Sequence, residues 1–243
     1  MAAAAYADFI SYTRVTAAAG IELPAVVDAQ GVGAGRSPTD FDLYVPALLV
    51  LAIIMVLFTA AASFIKEVDK GTITRLVMSP LRGFDILGAI GLSQVLIGTA
   101  ALGLTYLSAL ATGYRGQGSV LLFLAVGALA TLSVVAVGVI VAAFLRTIFE
   151  LLTVGIFPFF VLMFFSESMF PLPRLTLFNL AGHAFYVNDI LPTSLAVKAF
   201  NKILNFGAGP GALVFELAGI AILTVVYFAA GLWLFYRRHL RLR

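Results

Sequence analysis

Residues 43–65 read LYVPALLVLAIIMVLFTAAASFI, 23 consecutive positions without a charged side chain between Asp42 and Lys66. A bilayer core of about 30 Å is crossed by roughly 20 residues of α-helix, so this run is long enough to span it. Its continuous apolar character does not alternate, which sets aside a barrel strand. The pattern recurs along the chain: 29 uncharged positions separate Asp85 from Arg115, and 30 separate Arg115 from Arg146. Each interval has room for one span and not for two. A fourth run, 147–166, holds Glu150 near one end and Pro158, which should kink or break it. A fifth, 213–236, ends in an aromatic belt at Trp233 and Tyr236. The sequence predicts an all-α polytopic bundle of five spans at about 43–65, 86–112, 118–145, 147–166 and 213–236.

Composition agrees. Of 243 residues, 62% are hydrophobic and 11% charged, against about 45–50% and about 25% in soluble domains. The mean hydropathy is +1.07. A soluble enzyme, a disordered tail and a nucleic-acid-binding domain are poor readings of such a chain. With no cysteine, disulfides, thiolate metal sites and cysteine nucleophiles are excluded. Met1–Gly20 is Ala-rich but carries Asp8 and Arg14, too polar for a span and without the basic start of a signal peptide. Residues 21–42 read as loop, punctuated by Pro24, Gly31, Gly33, Gly35 and Pro38, with room for a short strand around Ala25–Ala29. The expected organisation is an external segment 1–44, a transmembrane domain 45–236 and a basic tail 237–243.

Lys and Arg fix the expected orientation. Nine lie on one side, close to helix ends: Lys66, Lys70, Arg75 and Arg82; Arg146; and Arg237, Arg238, Arg241 and Arg243. Six are spread over the longer loops of the other side: Arg14, Arg36, Arg115, Arg174, Lys198 and Lys202. The positive-inside rule places the nine-charge side and the C-terminus in the cytoplasm, in a plasma or inner membrane. With five spans the N-terminus is then outside.

Residues for catalysis are scarce. None of the four lysines stands in a phosphate loop. His183 and His239 fall on opposite sides, so a two-His metal or acid–base site is not expected. His239 reads as a cation facing lipid headgroups and His183 as support for the outer fold. Sparse intramembrane charge argues against a proton relay; Glu150 is the nearest candidate, and Arg146 four residues earlier would pair with it on one helix face.

Two connecting segments are informative. In Lys66–Arg82, KEVDKGTITRLVMSPLR, Gly71 can stop the preceding helix, Thr72 can cap a new one and Pro80 should end it. The resulting helix of about seven or eight residues is too short to stand alone. With Ile73, Leu76 and Val77 on one side, it must lie against the membrane, its own bundle or a partner. The other segment, Glu167–Gly207, contains Pro171, Pro173 and Pro192 yet stays apolar, the composition of short re-entrant or interfacial helices.

The run Glu67…Lys70-Gly71-Thr72…Arg75-Leu76…Ser79-Pro80 resembles the segment after the second helix of ABC-2 type transporter permeases. There, Glu, Gly-Thr, a leucine pair and Ser-Pro recur in that order. The preceding Tyr44-Val45-Pro46-Ala47 looks like that family's Tyr-x-x-Pro-Gly, with Ala47 in place of Gly. Phe170-Pro171-Leu172-Pro173 looks like its extracellular re-entrant turn. The resemblance covers about 22–243 and implies the membrane subunit of an ATP-driven exporter. It implies a coupling helix at 67–80 that docks one of two copies of a separate ATP-binding subunit. ATP and Mg would sit on that partner, and this chain would hold no cofactor. A pathway would need a second copy or a paralogue, in contact with membrane lipids and no nucleic acid. Gly88, Gly91, Gly98, Gly127 and Gly138 would permit close helix packing. The family has six spans with both ends cytoplasmic; here the first is expected to be missing or reduced to Met1–Gly20, so that either the chain is shortened or the protein starts outside. The rival readings are a channel or ion-coupled carrier, which needs no coupling helix, and a structural subunit of a membrane enzyme, which would carry cofactor ligands.

Overall fold

Each uncharged interval folds as helix, because hydrocarbon leaves the backbone no other partner than itself. The computed structural model describes residues 40–69, 83–166, 176–180, 183–235 and 237–238. The possible strand at Ala25–Ala29, the turn at Phe170–Pro173 and His239 lie outside them.

The long helices are α1 (Asp40–Asp69), α2 (Gly83–Ala111) and α3 (Val120–Phe144). A broken pair follows, α4 (Ile148–Thr153) and α5 (Ile156–Phe165), and α7 (Val214–Phe235) closes the bundle. Among the described residues, five spans are long and apolar enough to cross a membrane, with α4 and α5 together making one. The chain is a multi-pass helical membrane protein. Between α5 and α7 lie an antiparallel hairpin of β1 (Thr176–Leu180) and β2 (His183–Tyr186), a 3₁₀ turn at Val187–Ile190 and helix α6 (Pro192–Leu204). The hairpin is an element the sequence reading did not anticipate. His183 opens β2, opposite Leu180.

Pro46 lies inside α1, not at its start. Pro158 acts as expected, and the break falls one turn before it. Proline has no N–H for the carbonyl of Val154 and its ring crowds that group, so Phe157 N–H takes the Val154 carbonyl at 3.1 Å instead. Helix ends are capped locally. Ser119 Oγ accepts from Leu122 N–H at α3, and Thr147 Oγ1 from Glu150 N–H at α4. After α2 and α6 the chain reverses through Gly113 and Gly207 at positive φ, where a Cβ would be strained.

Helix α3 is the centre, packed against α1, α2, α6 and α7. Apolar on all sides, it is lined by Val126, Ala130, Val134, Ala142 and other buried residues. Small residues set the close approaches. A Cβ on Gly98 would fall 2.4 Å from Thr131 Cγ2, on Gly127 2.1 Å from Leu102 Cδ2, and on Gly138 3.1 Å from Ala60 Cβ. These glycines therefore serve packing within the chain; Gly91 touches Val135 and Gly88 faces open space.

Candidate functional site

One end of the bundle joins α1 to α2 and α3 to α4; it is the end that the charge count would place inside. Here α1 finishes in Lys66, Glu67 and Asp69, with Lys66 exposed and Glu67 half-buried. Glu67 thus belongs to the last turn of the first span and not to a separate short helix. The other residues assigned to the coupling segment, Lys70, Gly71, Thr72, Arg75, Leu76, Ser79 and Pro80, lie outside the described residues, as do Phe170, Pro171 and Pro173. Nearby, Glu150 turns back over the start of α4, its Oε2 accepting from the Arg146 backbone N–H at 2.7 Å. The expected pairing of these two residues on one helix face is corrected. Arg146 precedes the cap residue Thr147, so it is not helical, and its main chain makes the bond. Arg238 stacks on Phe144 at 4.4 Å and Arg237 on Trp233 at 5.3 Å, keeping both cations at this end.

At the opposite end, the segment before α7 enters the bundle. Its register against α7 follows from three contacts. Lys202 Nζ meets Glu216 Oε1 at 2.7 Å, a Cβ on Gly219 would fall 2.6 Å from Leu195 Cδ1, and Tyr227 Oη–H donates to the Ile190 carbonyl at 3.0 Å. Helix α6 therefore runs antiparallel to α7 and starts deep. Tyr227 is thirteen residues into α7, so with 1.5 Å per residue and the side chain leaning toward the helix start, Ile190 lies roughly 15 Å below the first residue of α7. This is a re-entrant arm.

Its anchor is Asp189, 0% exposed. Oδ2 accepts from Tyr186 N–H at 3.0 Å, closing the 3₁₀ turn. Oδ1 accepts from Ser194 Oγ–H at 3.4 Å and pairs with the Lys198 ammonium, which also lies 4.7 Å from the Tyr186 ring centre. At the outer end of the arm, Tyr114 Oη–H donates to Asn205 Oδ1 at 2.9 Å, and Asn205 Nδ2 to Asn201 Oδ1 at 2.9 Å. Burial pushes the Tyr114 phenol well above its usual range, so it stays a donor. Tyr106 meets the Tyr114 ring edge-on at 6.4 Å, and a chain of rings continues from it, Tyr106 against Phe123 at 4.9 Å and Phe123 against Phe200 at 4.7 Å. A cavity of about 440 Å³ opens between the α2–α3 loop (Gln117, Ser119) and the turn after α6 (Gly207, Pro210).

Gly118 is the tightest seam of this end. A Cβ there would meet the Ile203 carbonyl oxygen at 2.1 Å, a backbone atom that cannot swing away. Gly118→Ala is expected to cost about 1–3 kcal/mol, read as a lower melting temperature in detergent; an unchanged melt would mean that the arm is not seated on this loop.

Two groups escaped the sequence reading. The pairings of Lys198 with Asp189 and of Lys202 with Glu216 were invisible, because no helical spacing joins the members of either pair. The intramembrane amide Gln94 was missed because only charges were counted; an uncharged polar side chain inside an apolar interval was the available signal. Among the described residues, no three His, Cys, Asp or Glu side chains stand close enough to share a metal ion.

A family model described as ABC-2 family transporter protein matches residues 23–233, most of the 243. No curated protein and no solved structure matches the chain.

Proposed function

The chain belongs to the ABC-2 transporter family, and from that premise we propose that it is the permease subunit of an ATP-driven exporter, forming the pathway with a second permease chain. It is a transport subunit of the membrane and not itself the ATP-hydrolysing enzyme. Two copies of a separate ATP-binding subunit, carrying ATP and Mg, would dock at the inner end, with the C-terminus cytoplasmic in a plasma or inner membrane.

The observation that carries this reading is the family match extending across the turn between α1 and α2. The two helix ends lie at the same end of the bundle, which the charge count would make the inner one, and thirteen residues, 70–82, join them. Their sequence holds the Gly71-Thr72 and Ser79-Pro80 pairs, and Lys70, Arg75 and Leu76, with Glu67 at the end of α1, supply the mixed charge that a docking ATPase would read. A channel or carrier outside this class has no use for such a segment.

Purification from mild detergent is expected to give a complex of two permease chains with two ATP-binding subunits by native mass spectrometry. Azido-ATP should label only the partner. Specific labelling of this chain in isolation would overturn the assignment.

A further inference from the structure

Helix α7 packs on α3 at Gly231, where a Cβ would fall 3.2 Å from Val139 Cγ1 and Ile140 Cγ1, and through the Ser133–Thr224 hydroxyl pair. Along one flank of this seam runs a groove of about 350 Å³, lined by Leu132, Thr224, Val225, Phe228, Ala229 and Leu232. Thr224 is the one polar side chain among these, and its hydroxyl is spent on Ser133 and on the Ile220 carbonyl at 2.6 Å. The groove therefore offers nothing to water or to a polar ligand.

Its α7 wall continues toward the charge-rich end. Val225, Ala229, Trp233 and Arg237 are each exposed and follow one another at intervals of four, so they form a single ridge. The ridge ends at Arg237, two residues past α7, with its guanidinium 5.3 Å from the Trp233 ring centre. Arg238 lies 4.4 Å from the ring centre of Phe144, which ties the chain past α7 to the end of α3. Among the described residues neither arginine pairs with a carboxylate. Glu150, in the neighbouring α4, is turned to the Arg146 N–H. A guanidinium on an aromatic face keeps its N–H fork at the edge, free for an oxyanion.

Dimensions select the occupant. Thr224 to Trp233 is nine residues, about 14 Å of helix, and one leaflet supplies about half of a hydrocarbon core of about 30 Å. The groove thus reaches from the ring at the membrane boundary to the bilayer midplane. Spread over that length, its volume makes a slot about 5 Å wide, too narrow for a helix of about 10–12 Å diameter and wide enough for one hydrocarbon chain. The cations stand where the headgroup of such a chain would lie. A net-anionic headgroup suits them better than a zwitterionic one, whose own cation would stand beside the arginines. We propose that this seam binds one anionic phospholipid, its tail along Val225 and Ala229 and its phosphate on Arg237. The site needs only α3, α7 and the bilayer, so it stands apart from the exporter reading.

Trp233 is the single tryptophan of the chain, so its fluorescence reports this place alone. The full chain is reconstituted in phosphatidylcholine vesicles with rising fractions of a lipid brominated close to the glycerol, either phosphatidylglycerol or phosphatidylcholine. Brominated phosphatidylglycerol should half-quench Trp233 at a several-fold lower mole fraction than brominated phosphatidylcholine. Arg237→Gln should remove that difference, and Ala229→Leu, which fills the groove, should raise the fraction of phosphatidylglycerol needed. Equal quenching of the native chain by the two lipids means an ordinary lipid surround and overturns the proposal. Quenching by neither means that protein covers the face, with the same consequence. If Arg237→Gln keeps the preference the headgroup sits elsewhere, and if Ala229→Leu changes nothing the tail does; either result refutes the site.

Discussion

Glu67→Lys is expected to abolish transport and partner-stimulated ATP hydrolysis while leaving the protein in the membrane at near-normal amounts. Glu67 sits in the last turn of α1, where the helix dipole disfavours an acidic side chain by about 0.3–1 kcal/mol. Lysine there should support the helix, and a positive charge on the inner side agrees with insertion. Folding and topology are therefore spared. What changes is the surface offered to the proposed ATPase: Lys66 and the lysine introduced beside it would place two cations together where the native pair is mixed. Reversing a charge at such a contact costs several kcal/mol, and each 1.4 kcal/mol is a factor of ten in docking, so a loss of at least about a hundredfold is expected. Gly71→Val should act alike, because a β-branched residue resists the left-handed geometry that stops a helix. Transport and ATPase assays on reconstituted complex decide the matter. Normal rates in both variants would reduce the segment to a connector.

Asp189→Ala is expected to give the largest loss of stability in the chain, about 3–5 kcal/mol. Asp189 is fully buried and joins Tyr186 N–H, the Ser194 hydroxyl and the Lys198 ammonium. Without it, Lys198 keeps its charge among buried groups, its side chain 18% exposed, and the 3₁₀ turn loses its cap. Adding Lys198→Met should recover the cost of the stranded charge, since replacing both members of a buried pair is far milder than removing one. It should not recover the cap. Melting in detergent, followed by circular dichroism, separates the two contributions. A single variant that melts with the native protein would mean that the re-entrant arm is held elsewhere.

The sequence read the spans well because crossing a bilayer is a local requirement. A helix satisfies its own backbone, so an uncharged interval of sufficient length is enough to place one, whatever its neighbours do. The same holds for the break near Pro158, since proline denies a hydrogen bond to the residue four before it, and for the lack of room for two spans between Asp85 and Arg115. At the candidate site, the sequence put Glu67 at the start of a separate short helix, whereas the first span's own helix runs through it to Asp69. Glu150 and Arg146 were named correctly as neighbours, but sequence spacing could not say that α4 begins between them.

The sequence by itself determined the class of protein, the five spans among the described residues, the uneven distribution of Lys and Arg between alternate loops and the family run at Glu67–Pro80. Tertiary structure alone decided which polar groups meet. Tyr114 and Asn205, and likewise Ser133 and Thr224, are 91 residues apart in the chain, and no local pattern ties such partners together. It also decided that Gly98, Gly127 and Gly138 are spent inside the chain and that Thr59 stays on its surface. The physical reason is that apolar helices carry little information about which face turns where, because lipid and protein interior are almost equally good solvents for Leu, Val and Phe. Close fit at small residues and a few buried hydrogen bonds choose the arrangement, and both exist only once distant helices are brought together.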